Sequence, residues 1–341
     1  MALFRKNLGV DLGTVNVLIW ENGQIVLQEP SLVALRTEEE YIVEFGQPAR
    51  EMLGRVDDED IQVVRPLQNG VIADFEVTEA MLRYFFGKIV GRRPLFRPRV
   101  SISVPWGVTS VERRAVHEAA LAAGASEANL IPEPLAAALG AGLPVGTPAG
   151  DMIVNIGGGI TEASVISMNN IVRAESGRVG GLKLDEAIQL YIHRKYNLGI
   201  GQPSAEAIKI QIGAAVDTVE ELAMDIQGRD NVSGLPRTVT IYTGEVVEAL
   251  AEPLATIAQV VKNVLSNTPP ELASDIIDRG ITLTGGGALL RGIDQFLTNE
   301  TDVPAYRAEN PMLAVATGAG RTLEDPAILR RILQSQQRIQ G

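Results

Sequence analysis

The sequence predicts an α/β protein of two related domains, because one strand–turn–strand unit occurs twice along the chain. The first copy is the apolar run 8–12 with the turn at Gly13, and the second is the run 152–156 followed by the glycines 157–159. Strand and helix patterns alternate in both halves, which favours mixed sheets. Each copy offers a loop whose backbone N–H groups can approach an anion closely, because glycine has no side chain.

Each copy is expected to continue as a hairpin. The next strand-type runs, 15–20 and 163–168, are followed by the expected turns Asn22-Gly23 and Asn169-Asn170. Asn-Gly between apolar alternations, as after position 21, is a strong hairpin signal.

The rest of the first half also divides into strands and helices. Alternating residues predict strands at 31–35, 41–45 and 99–104. Helical spacing or alanine content predicts helices at 77–90, 109–124 and 134–141. Thr78 is the expected N-cap of the first helix, and Thr109 with Glu112 resembles a capping box for the second.

The second half begins after the Pro- and Gly-rich connection 144–150. Helical spacing predicts helices at 182–196, 204–215, 244–265 and in the tail from 326. Ser204 is the expected N-cap of the second of these helices. A β-branched strand at 281–284 runs into a third glycine cluster, 285–287, which is expected to open an apolar helix.

Composition excludes several classes of site. The chain has 341 residues, which suggests about two domains. It has no cysteine, and its two histidines, His117 and His193, lie far apart, so thiol catalysis and a thiolate zinc site are excluded. The net charge of −12 argues against nucleic acid as a partner. The first residues lack the apolar stretch of a signal peptide, so we predict a cytoplasmic protein.

Three strand-then-glycine corners together predict a nucleotide cradle, although one such corner alone would indicate only a hairpin turn. Amides at 285–288 would lie at a helix N-terminus, where partial positive charge attracts phosphate. Asp11 could hold a water of Mg²⁺, which keeps several waters and binds few carboxylates. The chain carries neither the Walker pattern nor, after the first strand, the dinucleotide fingerprint.

From residue 8 to about residue 323 the chain resembles the MreB family of bacterial actin homologues. The similar stretches lie at 11–16, 70–75, 111–116, 133–138, 196–201, 234–236, 269–273 and 283–290. The segment Gly70-Val71-Ile72-Ala73-Asp74-Phe75 resembles the sequence of this family at the same place.

The resemblance implies an actin-like (ribonuclease H-like) fold of duplicated domains with a nucleotide cleft between them. We expect a first domain at 1–145 with a small subdomain at about 31–75. A second domain is expected at 146–325 with a small subdomain at about 182–245, followed by a C-terminal helix or tail at 326–341.

The resemblance also implies a function. It predicts binding of ATP or ADP with Mg²⁺, and self-assembly into filaments at the inner face of the cell membrane. Such filaments would work with cell-wall synthesis and shape proteins to maintain rod shape.

The implied nucleotide site has two parts, phosphate loops and a nucleoside contact. Its residues are Asp11, Gly13, Thr14, Val15, Asn16, Gly157, Gly158, Gly159, Glu206, Lys209, Gly285, Gly286, Gly287 and Ala288. Asp11 and Asn155 would hold the metal's waters. Glu206 and Lys209 share a helix face and would reach the nucleoside, although alone they would indicate an exposed ion pair.

Two cleft positions depart from the family pattern. Asn155 replaces an acid that orients metal-bound water, and Ile160 replaces a threonine that positions the attacking water with the glutamate matching Glu133. Isoleucine neither donates nor accepts a hydrogen bond. We therefore predict slow ATP hydrolysis that depends on Glu133, with the hydroxyl of Thr161 as a substitute. Trp106 and Leu182 also depart from the pattern, without an assigned consequence.

An arginine-rich segment at 92–99 contains Leu95 and Phe96. These two side chains either enter the core at the start of a strand or dip into a bilayer, as in some family members.

Two other functions share the predicted cradle. A sugar-kinase-type phosphotransferase would need a substrate-facing base and extra insertions, and a chaperone ATPase would need a peptide-binding domain. The compact chain shows neither feature, so the filament-forming function is preferred.

Overall fold

A computed structural model of the chain describes residues 5–38, 41–57, 59–91 and 96–340, with side chains as far as residue 333. The strands of the first half are β1 (Asn7–Leu12), β2 (Asn16–Glu21), β3 (Gln24–Pro30), β4 (Val33–Arg36), β5 (Ile42–Phe45), β6 (Ile61–Val64), β7 (Leu67–Gln68), β8 (Val71–Ile72), β9 (Arg99–Val104) and β10 (Glu127–Pro132). Those of the second half are β11 (Asp151–Ile156), β12 (Thr161–Ser167), β13 (Asn170–Gly177), β14 (Leu198–Gly199), β15 (Ala223–Asp230), β16 (Pro236–Tyr242), β17 (Ile281–Thr284) and β18 (Ala305–Arg307).

The helices lie between and around these strands. They are α1 (Gln47–Met52), α2 (Phe75–Val90), α3 (Ser110–Ala122), α4 (Glu133–Gly140), α5 (Gly181–Tyr196), α6 (Gln202–Ile212), α7 (Thr243–Ser266), α8 (Pro270–Arg279), α9 (Ile293–Thr301), α10 (Ala314–Glu324) and α11 (Pro326–Gln340). None of the helices in the described part of the chain has both the length and the apolar character needed to cross a bilayer.

The two large sheets have the same topology, which confirms the predicted α/β duplication. The first has the order β10-β9-β1-β2-β3, and the second has β18-β17-β11-β12-β13. In each sheet the central strand pairs antiparallel with the next strand of its hairpin and parallel with a strand that follows a long crossover. The loops that follow β1 and β11 therefore occupy equivalent positions in the two lobes.

The β2–β3 and β12–β13 hairpins both close through two-residue turns in which each residue has a positive φ. Asn22 and Gly23 have φ of 49° and 86°, as the Asn-Gly signal predicted. In the second copy, the turn residues are Met168 and Asn169, because Ser167 pairs with Asn170. This turn lies one residue earlier than predicted.

Helices α4 and α10 cross at glycines and connect the lobes. A Cβ on Gly318 would overlap the carbonyl oxygen of Ala136, and one on Gly140 would overlap that of Ala314. Helix α10 packs on β1 and β9 of the first sheet, while α4 packs on β11 of the second. Each lobe thus receives a helix from the other half of the chain.

Two three-stranded sheets and the two-stranded sheet β7-β8 lie beyond the large ones. Strands β5-β4-β6, with α1, form one within the predicted first subdomain, and β14-β15-β16 form the other within the predicted second subdomain. The exact domain bounds remain a prediction.

Helix caps test the local signals directly. The capping box of Thr109 and Glu112 is confirmed. The prediction of Thr78 as an N-cap is wrong, because α2 begins earlier and the carboxylate of Asp74 accepts from Val77 N–H at 3.0 Å. Ser204 is not a cap either, since α6 begins after Gly201.

Candidate functional site

A cavity of about 400 Å³ opens between the two lobes, where the glycine loops meet. Most of the predicted site residues line it: Asp11, Gly13, Thr14, Val15, Asn16, Glu133, Asn155, Gly157, Gly158, Gly159, Glu206, Lys209, Gly285, Gly286 and Gly287. The structure therefore brings residues from five distant segments of the chain into one site.

The first two loops have the same backbone turn. Gly13 N–H donates to the Asn16 carbonyl at 3.1 Å, and Gly157 N–H donates to the Ile160 carbonyl at 2.8 Å. The loops also contact each other across the cleft. A Cβ on Gly158 would overlap the side chain of Val15. Glycine is thus required here for the approach of one lobe to the other.

The third loop closes one wall of the cavity. Gly285 has φ of 81°, and a Cβ there would overlap the carbonyl oxygen of Ile156. The expected apolar helix is only a 3₁₀ turn, Gly286–Leu289. Ala288, the third residue of this turn, is buried, and its N–H donates to the Gly285 carbonyl at 3.3 Å. The structure therefore does not place the Ala288 amide at the cavity.

The cavity floor carries a hydrogen-bonded amide and two carboxyl groups. The Asn155 side-chain amide donates to Glu133 Oε1 at 2.6 Å, and the Thr284 hydroxyl donates to Asn155 Oδ1 at 3.2 Å. Burial raises the pKa of Asp11 to about 7, although the Ser103 hydroxyl, at 3.4 Å, opposes this. The carboxyl groups of Asp11 and Glu133 are thus not balanced by a positively charged side chain among the described residues.

A third acid, which sequence reasoning missed, lies beside this floor. Glu162 is fully buried, and its Oε1 accepts the backbone N–H of Trp106 at 2.6 Å. Burial raises the pKa of Glu162 to about 8, and hydrogen bonds from Trp106 and Ser176 oppose the shift. Burial, and then the charges of Glu162 and Asp11, raise the pKa of Glu133. The available signal was an acid within the otherwise apolar and small residues of β12.

The two residues after the second loop differ in position. Ile160 lines the cavity, packed near Gly70 of the first lobe. Thr161 is buried, and its hydroxyl donates to the Val179 carbonyl at 2.8 Å. Contrary to the prediction that the Thr161 hydroxyl substitutes in positioning water, the structure does not place it at the cavity. Its hydrogen bond to the Val179 carbonyl holds it in the sheet core.

At the other end of the cavity, charged side chains pair with each other. Lys209 Nζ lies 2.6 Å from Asp185 Oδ1 and donates to the Gly181 carbonyl at 2.9 Å. Glu206 pairs with Arg50 of the first small subdomain at 2.6 Å. Sequence reasoning missed Asp185 and Arg50, because their partners lie far away along the chain.

Two apolar side chains complete this end. Ile210 and Leu289 line the cavity, yet they are 69% and 45% exposed. Exposed apolar side chains beside a cavity suit a flat aromatic group that covers them.

The donor set fits a phosphate chain with a hydrated divalent cation. Glycine loops leave room for phosphate beside backbone amides, and Asp11 with Asn155 can hold metal-bound waters. Among the described residues, no three His, Cys, Asp or Glu side chains are grouped to hold a metal ion. A cation here would therefore depend on phosphate oxygens and waters.

The arginine-rich segment is described only in part. Phe96 is 44% exposed, and Leu95 lies outside the described residues.

Residues 5–331 match the family described as MreB/Mbl protein. The cell shape-determining protein Mbl of Bacillus cereus (strain ATCC 10987 / NRS 248) is 48% identical over 324 residues, which cover 95% of this chain and 97% of the relative. The cell shape-determining protein MreB of Escherichia coli (strain K12) is 48% identical over 331 residues, covering 95% and 94%.

Solved structures share the fold. MreB 5 of Spiroplasma citri bound to AMPPNP superimposes with a TM-score of 0.89 at 37% identity, covering 97% of this chain and 99% of that one. A MamK double helical filament gives a TM-score of 0.80 at 22% identity, covering 94% and 99%, and indicates the fold alone.

Replacing Asp11 by Asn should stabilise the nucleotide-free protein at pH 8. Burial raises the pKa of Asp11 from 3.8 to about 7, so the folded state holds this proton more tightly than the unfolded chain does. The stability of the folded protein therefore falls as the pH rises from 3.8 through about 7. One pKa unit is about 1.4 kcal/mol, so we expect a gain on the order of 1–4 kcal/mol at pH 8 that disappears near pH 4. Thermal unfolding in EDTA at both pH values measures this gain.

The exposed acid Asp217 provides the control for this change. Asp217→Asn should leave the pH dependence of unfolding as it is in the parent. An equal gain for Asp11→Asn at both pH values would contradict the role given to burial.

Proposed function

The chain belongs to the MreB/Mbl family, and from this premise we propose that it is an ATP-binding actin homologue whose filaments organise cell-wall synthesis and rod shape. The observation that carries the proposal is the cavity enclosed by two equivalent glycine loops and a third one. Homologous structures with AMPPNP and ADP support a nucleotide as its ligand.

We place the phosphates against the amides of the three loops and the nucleoside at the charged end. The Glu206 carboxylate then accepts hydrogen bonds from the ribose hydroxyls, and Ile210 and Leu289 cover the base. Asp11 and Asn155 would hold waters of Mg²⁺, whose positive charge would neutralise phosphate. The carboxyl groups of Asp11, Glu133 and Glu162, which raise one another's cost of ionisation, would then repel less.

Hydrolysis is proposed to be slow, with Glu133 as the base. Its Oε1 is taken by the Asn155 amide, so one of its two acceptor oxygens is already engaged. Ile160 presents an apolar surface where a hydroxyl would position water, and the Thr161 hydroxyl is bonded elsewhere. Loss of one positioning or proton-transfer contribution costs about 10²–10⁴-fold in rate.

Electron microscopy tests the proposal as a whole. With ATP and Mg²⁺ we expect filaments, and without nucleotide we expect few or none. Calorimetry on the same protein should show ATP uptake. Failure to bind ATP, or ATP-bound protein that stays monomeric at all concentrations tested, would rule out the proposed function.

The double replacement Asn155→Asp and Ile160→Thr should raise the rate of phosphate release by about 10²-fold or more, because it restores a charged metal-water ligand and a water-positioning hydroxyl. Ile160→Val is the matched control, since it keeps the side chain apolar. If the parent already releases phosphate as fast as the double variant, slow hydrolysis is wrong.

We propose that Leu95 and Phe96 attach the filaments to the inner face of the membrane. Each would contribute about 1.5–3 kcal/mol when buried in lipid, and many copies in a filament add avidity. Leu95→Ser with Phe96→Ser should therefore abolish most co-sedimentation of filaments with anionic liposomes.

A matched control uses exposed apolar residues elsewhere. Val232 and Leu235, at the tip of the β15–β16 hairpin, are 84% and 64% exposed. Val232→Ser with Leu235→Ser should leave liposome binding by preformed filaments unchanged. If the parent and both double variants bound liposomes equally, the proposed membrane attachment through Leu95 and Phe96 would be wrong.

A further inference from the structure

An ion pair crosses the cleft at the charged end of the cavity, where Glu206 lines the cavity and Arg50 lies behind it. Arg50 on α1 belongs to the small subdomain of the first lobe, and Glu206 on α6 belongs to the second lobe. Arg50 Nη2 lies 2.6 Å from Glu206 Oε2. The Glu206 side chain is 17% exposed and that of Arg50 is 37% exposed, so the pair is shielded from water on the Glu206 side only.

Packing and hydrogen bonds hold the backbone of α1, which carries Arg50, in place. Ala49, the preceding residue, is fully buried against the small sheet. Gly46 N–H donates to the Leu32 carbonyl at 2.9 Å, and Gln47 N–H donates to Glu29 Oε2 at 3.0 Å. The position of the Arg50 backbone is therefore set by the small sheet.

Other charges orient the pair. Arg65 also interacts electrostatically with Glu206, and its Nη1 is buried without a hydrogen-bond partner. Lys209, one helical turn after Glu206, is held by Asp185. Because Lys209 is bound to Asp185, Arg50 is the cation that contacts the Glu206 carboxylate directly.

We propose that Arg50 is a nucleotide-positioning residue. It holds Glu206 Oε2, which directs Oε1 to the ribose hydroxyls, and the same contact closes the small subdomain over the nucleoside. This inference rests on the proposed function, because it needs ATP in the cavity. A nucleotide can leave only after the contact between Arg50 and Glu206 opens.

The test measures dissociation of radiolabelled ATP after a chase with unlabelled ATP, together with the affinities for ATP and 2′-deoxy-ATP. Arg50→Ala should speed dissociation about fivefold, the equivalent of a partly buried ion pair, and should reduce the preference for ATP over 2′-deoxy-ATP. Arg50→Lys should lie between the parent and Arg50→Ala. In a Glu206→Gln background, Arg50→Ala should have little further effect.

Arg36→Ala is the matched control. Arg36 lies on the same small subdomain and pairs with Asp60 at 3.1 Å, so its ion pair stays within that subdomain and does not cross the cleft. It should leave dissociation and ribose preference as they are in the parent.

Two results would overturn the inference. One is an unchanged dissociation rate in Arg50→Ala. The other is an equal loss of affinity for ATP and 2′-deoxy-ATP that adds to the effect of Glu206→Gln. Normal ATP binding by the parent with either result rejects only the role of Arg50, whereas a parent that binds no ATP rejects the proposed function as well.

Discussion

The structure depends on the close approach of two backbone loops from opposite lobes. Gly158 lies directly against the side chain of Val15, and a Cβ on Gly159 would come within 2.7 Å of the Thr14 hydroxyl oxygen. At these distances only hydrogen atoms fit on the glycine Cα. The same closeness places two sets of backbone amides around one cavity. Closure of the lobes and construction of the phosphate site are therefore one steric requirement.

The cavity floor shows how function is balanced against stability. Glu162 is buried, Asp11 and Glu133 are partly buried beside it, and loss of solvent contact raises the pKa of each. A sheet core gains nothing from such groups without a counter-charge, because desolvation penalises the ionised form. A cation with a phosphate chain would supply that charge. The acids are thus arranged for a ligand, at a cost to the empty protein.

Cleft residues also take part in contacts between the lobes. Ile160 packs near Gly70, and Glu162 accepts the N–H of Trp106 from the other lobe. Ile160 thus contributes an apolar contact at the edge of the cavity. Together with the pair of Arg50 and Glu206, these contacts join the lobes at both ends of the cavity.

The sequence by itself determined the duplicated strand–glycine units and the third glycine loop, because glycine spacing and strand alternation are local patterns. Glu133, Asn155, Glu206 and Lys209 were expected at the cavity only because the chain resembles a known family. Only the tertiary structure decided that Arg50 meets Glu206, that Trp106 meets Glu162, and that the Thr161 hydroxyl turns toward Val179. Helices α1, α8, α9 and α10, strand β10 and the β15–β16 hairpin also escaped prediction. Each of these features depends on partners far away in the sequence, and a local pattern carries no information about which distant group will satisfy a charge or a hydrogen bond.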